Sequence, residues 1–359
     1  MKETRFIING QFCARKLTGE ERFAEEIVLE LDKLCTNSTV KLIVPKNAIR
    51  IPDLKNIEII KYGKVKGFLW EQISFGWYAL VHRTTTLNLC SIMPIIKPGV
   101  VCIHDIKYKT GIGIKVKQNF YQRLSKIWHL FQYNLAWTFS PLIVTVSEYS
   151  KKEMMEVYKI SPSRIFVIGN GWDHFKRIIQ DDSIFVKRKE WFTIPYFFSL
   201  SSITPNKNLN WIIQVARNHP QYMFLVGGNI GKLSYGCIFE QMPPNVILTG
   251  YLSDSEIKSV MSRAKAFLFP SFAEGFGIPP LEALSVGCPA VVSNTTCLPE
   301  IFGNTVHYID PNNYEVNLDE ILSLPVESPD SVLIKYTYKK SAKRLYNRLL
   351  GKKIENVIK

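Results

Sequence analysis

The chain contains 359 residues, of which 46% are hydrophobic and 21% are charged, with 20 glycines and 19 prolines. This composition excludes disordered and fibrous proteins, and the length suits two α/β domains better than a single core. A formal net charge of +14 favours negatively charged partners such as nucleic acid, anionic lipid or phosphorylated ligands, and does not choose among them.

Short apolar runs alternate with helical patterns along the whole chain. The runs are continuously hydrophobic, which is typical of strands buried on both faces of a parallel sheet. The predicted strands are residues 5–8, 40–44, 100–103, 142–146 and 164–168 in the first half, and residues 196–200, 223–227, 246–250, 266–270 and 290–293 in the second.

Amphipathic or buried helices are predicted between these strands. Ser147, Ser253 with Asp254, and a first-turn proline at Pro280 are start signals for three of them. The predicted helices are residues 19–34, 147–158, 209–219, 253–264 and 280–287. The alternation predicts an α/β fold of two Rossmann-like, doubly wound domains, which bind ligands at the carboxyl ends of their strands.

The apolar segment 127–146 is the part of the chain most similar to a membrane span. It contains His129, Gln132 and Asn134 and is divided by Pro141, so a buried helix followed by a core strand explains it better. The seven cysteines have no CxxC spacing, and no signal peptide is recognisable, which together predict reduced thiols and a cytoplasmic location.

The end of the chain is strongly basic. A partial helical stripe there predicts either a solvated face on a terminal helix, which we favour, or contact with an anionic membrane surface. The basic residues are Lys335, Lys339, Lys340, Lys343, Arg344, Arg348, Lys352, Lys353 and Lys359, against a single Glu355.

The segment 271–294, SFAEGFGIPPLEALSVGCPAVVSN, carries two carboxylates, Glu274 and Glu282, around a Gly- and Pro-rich turn between a strand and a helix. Gly275 and Gly277 allow a ligand to approach the backbone closely. The helix that follows would offer N–H groups and a partial positive charge, as phosphate-binding helices do. Phosphate and hydroxyl recognition side by side suit a nucleotide sugar.

Several motifs in this half resemble one family, the retaining GT-B glycosyltransferases of family four. EGFGIPPLEA has the family's E-x7-E spacing, and the passages 146–175 and 199–217 are similar to two further family motifs. LTGYLSDSEI, SNTTCLPEIFG and KKSAKRLYNRL add to the ordered series. The resemblance covers most of residues 140–350. The polar stretch 170–190, between two sets of about five predicted strands, predicts the domain boundary. The expected segments are an acceptor-side domain (1–175), a nucleotide-sugar-binding domain (176–335), and a basic helix (336–359) that crosses back to the first domain.

The resemblance implies a role for each matching position. Glu282 would hold the nucleotide ribose, Lys207 would neutralise the diphosphate, and His104 would approach the donor sugar. The implied catalytic residues are His104, Lys207 and Glu274, and the implied donor-binding residues are Gly19, Ser202, Lys207, Gly250, Tyr251, Glu274, Gly275, Phe276, Gly277 and Glu282.

Each implied residue also has an ordinary interpretation. Glu282 would favour a helix N-terminus electrostatically, Lys207 could be a surface lysine and His104 a buried core histidine. Two departures from the family pattern concern the diphosphate. Asn206 and Ser202 stand where relatives carry Arg, and Glu20 replaces an uncharged residue near the phosphate.

No D-x-D motif and no metal-site spacing of His, Cys or carboxylates is present in the sequence, so no metal and no other cofactor is predicted. The resemblance implies retaining transfer of a hexosyl or deoxyhexosyl unit, such as mannose or rhamnose, from a nucleoside diphosphate sugar. The acceptor would be a growing, lipid-linked glycan of the bacterial surface, such as O-antigen or capsule, and the location would be cytoplasmic or peripheral at the inner membrane face.

Three other functions stay open. A nucleotide-sugar epimerase can share the architecture. A nicotinamide-dependent oxidoreductase would need a G-x-G-x-x-G turn after a strand, which is absent. A non-enzymatic nucleic-acid-binding protein would explain the charge, but no recognised module occurs and nucleic acid is not a predicted partner.

Overall fold

The computed structural model describes residues 5–35, 40–111, 120–200, 204–228 and 242–351. Within these ranges the chain divides into two compact units. The first unit contains the described residues up to Thr110, residues 120–171 and residues 336–351, and the second contains Gly111 and the described residues from Trp172 to Lys335.

Each unit is built on one parallel sheet, and the two sheets contain the thirteen strands of the described residues. In chain order the strands are β1 Phe6–Asn9, β2 Val40–Pro45, β3 Glu58–Tyr62, β4 Thr85–Asn88, β5 Val100–Cys102, β6 Ile143–Thr145, β7 Ile165–Val167, β8 Tyr196–Leu200, β9 Met223–Gly227, β10 Val246–Gly250, β11 Ala266–Phe269, β12 Ala290–Ser293 and β13 His307–Ile309.

Helices connect the strands, as parallel pairing requires. They are α1 Gly19–Leu34, α2 Gly67–Leu69, α3 Gly76–Val81, α4 Lys107–Thr110, α5 Phe120–Phe139, α6 Glu148–Tyr158, α7 Ile184–Lys187, α8 Leu209–Asn218, α9 Asp254–Arg263, α10 Ile278–Ser285, α11 Leu298–Phe302, α12 Leu318–Ser323, α13 Asp330–Lys335 and α14 Tyr338–Leu349. A π-helical segment, Trp70–Phe75, joins α2 to α3.

The strand order gives both sheets the Rossmann topology. It is β3-β2-β1-β4-β5-β6-β7 in the first unit and β10-β9-β8-β11-β12-β13 in the second, and all recorded strand pairs are parallel. The order reverses between β1 and β4 in one sheet and between β8 and β11 in the other. Such switch points are where open α/β sheets bind ligands. The predicted fold class, two Rossmann-like α/β domains, is confirmed.

The sequence analysis missed three strands, β3, β4 and β13. β3 is an edge strand with little burial, and β13 has only three residues. β4 reads TTLN and is polar, yet its Asn88 is fully buried because the side chain donates to the Val100 carbonyl and to Thr86. A polar group is tolerated in a sheet interior when its hydrogen bonds are made.

The helix start signals were predicted correctly at two positions. Ser147 accepts a hydrogen bond from the N–H of Ser150, and Ser253 forms a capping box with Glu256. The third needs a correction, because α10 begins at Ile278 rather than at Pro280. Pro280 is in the first turn, but Glu282 is the fifth helical residue and lies in the second turn.

The last described helix, α14, packs against α1 inside the first unit. The rings of Phe23 and Tyr338 are 6.5 Å apart. A Cβ at Gly171 would lie 2.1 Å from the backbone nitrogen of Tyr338, so only glycine allows this approach. In the described part of the chain, every helix is too short or too polar to cross a bilayer.

Candidate functional site

Two loops meet at the switch point of the second sheet. One follows β8 and carries Lys207 in a 3₁₀ turn, and the other follows β11 and carries Glu274. Because β8 and β11 are neighbouring parallel strands, both loops leave the same edge of the sheet. The N–H of Phe272 donates to the Asn206 carbonyl at 2.8 Å, which joins the two loops directly.

Lys207 and Glu274 form an ion pair at this switch point. Lys207 Nζ lies 2.5 Å from Glu274 Oε1, and it also lies 5.2 Å from the centre of the Phe269 ring. Both side chains are partly buried, with 21% and 13% of their surface exposed. The pair therefore holds one cation and one hydrogen-bond acceptor at the sheet edge, both within reach of solvent.

The loop that follows β12 holds Glu274 from behind. The Glu274 N–H donates to Thr296 Oγ1 at 3.2 Å, and the Cys297 thiol lies 3.2 Å from the Glu274 carbonyl. Thr296 has a φ of +51°, a value that is uncommon outside glycine. Thr295 donates to the Ser271 carbonyl and completes the contact. Contacts at both the N–H and the carbonyl group of Glu274 therefore hold its backbone in place.

The turn before α10 needs glycine at position 277. Gly277 has a φ of +98°, and a Cβ there would lie 2.9 Å from Leu298 Cδ2. The helix offers fewer backbone donors than the sequence analysis predicted. Pro279 and Pro280 have no N–H, so Ile278 alone among the first three helical residues retains one. Gly275 and Phe276 precede it, both buried.

Glu282 projects from α10 onto a histidine. Its Oε1 lies 3.1 Å from Nε2 of His174, and both side chains are largely buried. His174 belongs to the 3₁₀ helix Asp173–Arg177, which opens the second unit. A buried carboxylate next to a ring nitrogen is oriented by that contact.

Two further residues predicted to bind the donor, Gly250 and Tyr251, lie at the end of β10. Gly250 ends β10 with a φ of +74°, and its carbonyl accepts from the Gly228 N–H. Tyr251 follows with 83% of its surface exposed, so its ring is open to a ligand. Ser202 lies outside the described residues.

His104 and Gly19 belong to the first unit. His104 follows β5 and is buried, with Nε2 3.1 Å from the Leu89 carbonyl and its ring packed edge-on against Phe23 at 4.6 Å. Burial lowers the pKa of His104, but Cys102, Glu20 and the Leu89 carbonyl raise it, and the balance lies at about 10. Gly19 is the first residue of α1, and a Cβ there would meet no atom of the described residues within 4 Å.

A polar cavity of 330 Å³ lies at the switch point of the first sheet. Its lining comes from the segments that follow β1, β4 and β5 and from α5, and it includes Arg15, Glu20, Cys90, Asp105, Lys107 and His129. Glu20 therefore shares this cavity with two cations, Arg15 and Lys107. The ring of His129 stacks on that of Tyr108 with 4.4 Å between ring centres, and its buried Nδ1 has no hydrogen-bond partner among the described residues.

Salt bridges and hydrogen bonds set the charge state around this cavity. Lys107 pairs with Asp105 at 3.2 Å. Behind the lining, Arg15 pairs with the fully buried Glu71 at 3.0 Å. Burial raises the pKa of Glu71 to about 7 although Arg15 lowers it. Over the described ranges, no cluster of three or more His, Cys, Asp or Glu side chains is placed to hold a metal ion.

The sequence analysis did not identify three residues that shape this candidate site. Asn206, noted only as a departure from the family pattern, links the two loops through its carbonyl, and its side chain lies 3.5 Å from the Ala273 carbonyl. No local sequence pattern indicates the roles of His174 and Thr296. The partner of His174 is distant in sequence, and the positive φ of Thr296 is set by the tertiary fold.

A comparison with protein families matches residues 182–340 to the family described as Glycosyl transferases group 1. Among curated proteins, the chain is 28% identical over 192 residues to O-antigen chain mannosyltransferase B of Escherichia coli, covering 50% of each chain. It is 25% identical over 266 residues to O-antigen chain mannosyltransferase RfbU of Salmonella typhimurium, covering 70% of this chain and 69% of the other. The chain thus spans half the length of the first relative.

Solved structures share the fold at low identity. Sucrose-phosphate synthase from Thermosynechococcus elongatus has a TM-score of 0.71 at 15% identity, covering 97% of this chain and 99% of the other. HepE of Anabaena in complex with UDP-glucose has a TM-score of 0.63 at 16% identity, covering 97% and 96%. Residues 182–340 therefore match the Glycosyl transferases group 1 family model, and the two parallel-sheet units have the fold of these solved structures.

Proposed function

We propose that the protein is a retaining, metal-independent glycosyltransferase that moves a hexosyl unit from a nucleoside diphosphate sugar to a surface glycan. The observation that carries this proposal is the Lys207–Glu274 pair at the switch point of the second sheet. It combines a cation for a diphosphate with an acceptor for sugar hydroxyls, at the sheet edge where nucleotides bind.

On the donor side, the charge that develops on the leaving diphosphate is the main quantity to stabilise. Lys207 supplies a full positive charge, and the N-terminus of α10 supplies a partial one. Because Glu274 already neutralises Lys207, an incoming diphosphate must share or replace that contact. Glu282, held by His174, is free of that competition and is assigned to the ribose hydroxyls.

On the acceptor side, we assign the polar cavity of the first unit to a sugar of the acceptor. Carboxylate, lysine, imidazole and stacked aromatic groups line it, which is the mixture that sugar recognition uses. In the transfer, the acceptor oxygen bonds to the anomeric carbon as the bond to the diphosphate breaks. Its proton passes to the departing phosphate oxygen on the same face, which retains the configuration. His104 is assigned to the donor sugar.

The donor sugar is proposed from the relatives. Two curated mannosyltransferases of O-antigen chains match the chain, so a mannosyl unit is our first candidate, and a glucosyl or rhamnosyl unit follows. The acceptor is accordingly a lipid-linked O-antigen or capsule glycan. We also propose a cytoplasmic location, peripheral to the membrane.

One experiment tests the reaction and its rivals together. The purified protein is incubated with GDP-mannose, UDP-glucose or dTDP-rhamnose, with and without a lipid-linked glycan acceptor, and with and without EDTA. We expect release of the nucleoside diphosphate that depends on the acceptor and persists in EDTA. Conversion of a donor in the absence of acceptor would instead identify an epimerase, and loss of turnover in EDTA would refute the metal-independent mechanism.

A further inference from the structure

The first unit has an apolar surface that the proposed reaction does not use. Along the continuous helical segment 67–81, the exposed residues Leu69, Ile73, Trp77 and Val81 recur every four positions, so they form one stripe. Between 44% and 56% of each residue is exposed. The opposite face, which includes Trp70 and Phe75, is buried in the core of the unit.

A second helix extends this stripe. The ring centres of Phe68 and Trp128 of α5 are 5.8 Å apart, and those of Trp128 and Phe131 are 5.7 Å apart. Leu124, Ile127 and Phe131 on α5 are each at least 44% exposed. The exposed apolar residues of the two helices are therefore neighbours and form one patch. The surface of a water-soluble protein usually carries such residues singly. We call the residues of both stripes the apolar face.

Several lysines lie beside the apolar face. A cavity of 410 Å³ is lined by Lys46, Lys61 and Lys64 together with Ile73 and Trp77, two residues of the stripe. Its lining falls entirely within the described range 40–111 and contains no carboxylate. The lysines are exposed, as is Lys66 nearby, and in the described part of the chain none of the four forms an ion pair.

We propose that the apolar face and its lysine-lined cavity dock the protein on the surface of an anionic phospholipid bilayer. The stripe inserts among the acyl chains, Trp77 lies at the interface, and the lysines bind lipid phosphates, which is the division of roles in an interfacial amphipathic helix. Charge complementarity favours this occupant over a second copy of the chain, because two such faces would bring the lysines of both copies together.

This surface differs from the basic helix α14 that the sequence suggested. In α14, Arg344 and Arg348 reach backbone carbonyls of Ile168 and Ser163, and Arg348 also lies over the Phe166 ring. Those cations serve packing within the first unit. Lys339 and Lys343 remain exposed and provide a matched rival site.

Vesicle sedimentation tests the proposal without any nucleotide sugar, so its result is independent of the glycosyltransferase assignment. Vesicles of phosphatidylcholine alone are compared with vesicles containing phosphatidylglycerol, at low salt, with the full chain. We expect binding to the anionic vesicles only. Ile73→Ser with Trp77→Ser should lower the partition coefficient at least ten-fold, as should Lys61→Glu with Lys64→Glu.

Two controls keep the test decisive. Ile179→Ser changes an apolar residue that is 83% exposed in the second unit and should bind as the parent does. Lys339→Glu with Lys343→Glu should retain most binding, and circular dichroism verifies that every variant is folded. The proposal is overturned if the parent ignores anionic vesicles, if only the α14 variant loses binding, or if the stripe variant dissociates a dimer in sedimentation velocity without affecting vesicle binding.

Discussion

Lys207 Nζ lies 2.5 Å from Glu274 Oε1, and these two residues come from loops that follow different strands, β8 and β11. The strands are neighbours at the point where the sheet order reverses, which is the edge of an open α/β sheet where we propose that the donor binds. A cation paired in this way is held in place before a ligand arrives. Its charge becomes fully available to a diphosphate only when the ligand competes with Glu274.

Replacing Lys207 by alanine is expected to lower kcat about 100-fold to 1,000-fold with little change in the melting temperature. The reason is that, in the proposed mechanism, Lys207 supplies the charge that stabilises the leaving diphosphate. Steady-state kinetics with a sugar nucleotide measures the change. Lys207→Arg keeps the charge in a larger, planar form and is expected to recover only part of the rate. An alanine variant with normal kcat would refute this role.

Replacing Glu274 by glutamine separates two effects. The amide keeps the size of the side chain but releases Lys207 from its ion pair, so nucleoside diphosphate binding should be retained or strengthened. Turnover should fall because a hydroxyl of the donor sugar loses its charged acceptor. Calorimetric titration with the nucleoside diphosphate and kinetics with the intact donor distinguish the two. Equal losses of binding and turnover would show that Glu274 acts on the fold of the loop instead.

Gly19 and Gly277 are expected to respond to alanine in opposite ways. In the described part of the chain a Cβ at Gly19 meets no atom within 4 Å, so Gly19→Ala should leave the thermal stability unchanged and, if Gly19 has its implied role, should obstruct the donor phosphate. At Gly277 the φ of +98° and the contact with Leu298 predict a loss of about 1–3 kcal/mol in the free energy of unfolding. Thermal melts and turnover are measured for both variants. Full activity of Gly19→Ala would remove the implied role of this residue.

The fold was largely predictable because it depends on patterns local to the sequence. Continuous apolar runs identified ten strands, and Ser147 and Ser253 fixed two helix starts through their own side chains. β4 was missed because its buried Asn88 is satisfied by partners that only the folded sheet supplies. A prediction from sequence alone places a polar residue at the surface, because those partners are not yet known.

The roles of the site residues stay predictions, but the sequence did indicate which residues lie together. The resemblance named Lys207 and Glu274, and the structure places them in contact. The contacts that orient Glu274 and Glu282 come from Thr296 and His174, which act through tertiary geometry and leave no local pattern in the sequence. Such supporting residues determine how well a site works, and they are found only when the chain is folded.

His174 is expected to act as a positioning residue for Glu282. Replacing it by leucine leaves a buried carboxylate without its partner, and we expect the nucleoside diphosphate Kd to rise about 10-fold. His174→Gln retains a donor and should lose less. A double-mutant cycle with Glu282→Gln, read out as nucleotide affinity, should show strong coupling between the two positions. Additive effects, or a change in thermal stability alone, would leave His174 a purely structural residue.

The buried Glu71 predicts a stability change near neutral pH. Its pKa is raised from 4.5 to about 7 in the folded protein, chiefly by burial, so between these values the folded state binds more protons than the unfolded state. Stability is therefore greatest below pH 4.5 for this group and is lost as the pH rises through 7, by up to about 3 kcal/mol. Chemical unfolding between pH 5 and pH 9 measures it, and Glu71→Gln should flatten that part of the profile. Because burial also raises the pKa of Glu153 to about 7, only the difference between parent and variant isolates Glu71, and identical slopes would refute the prediction.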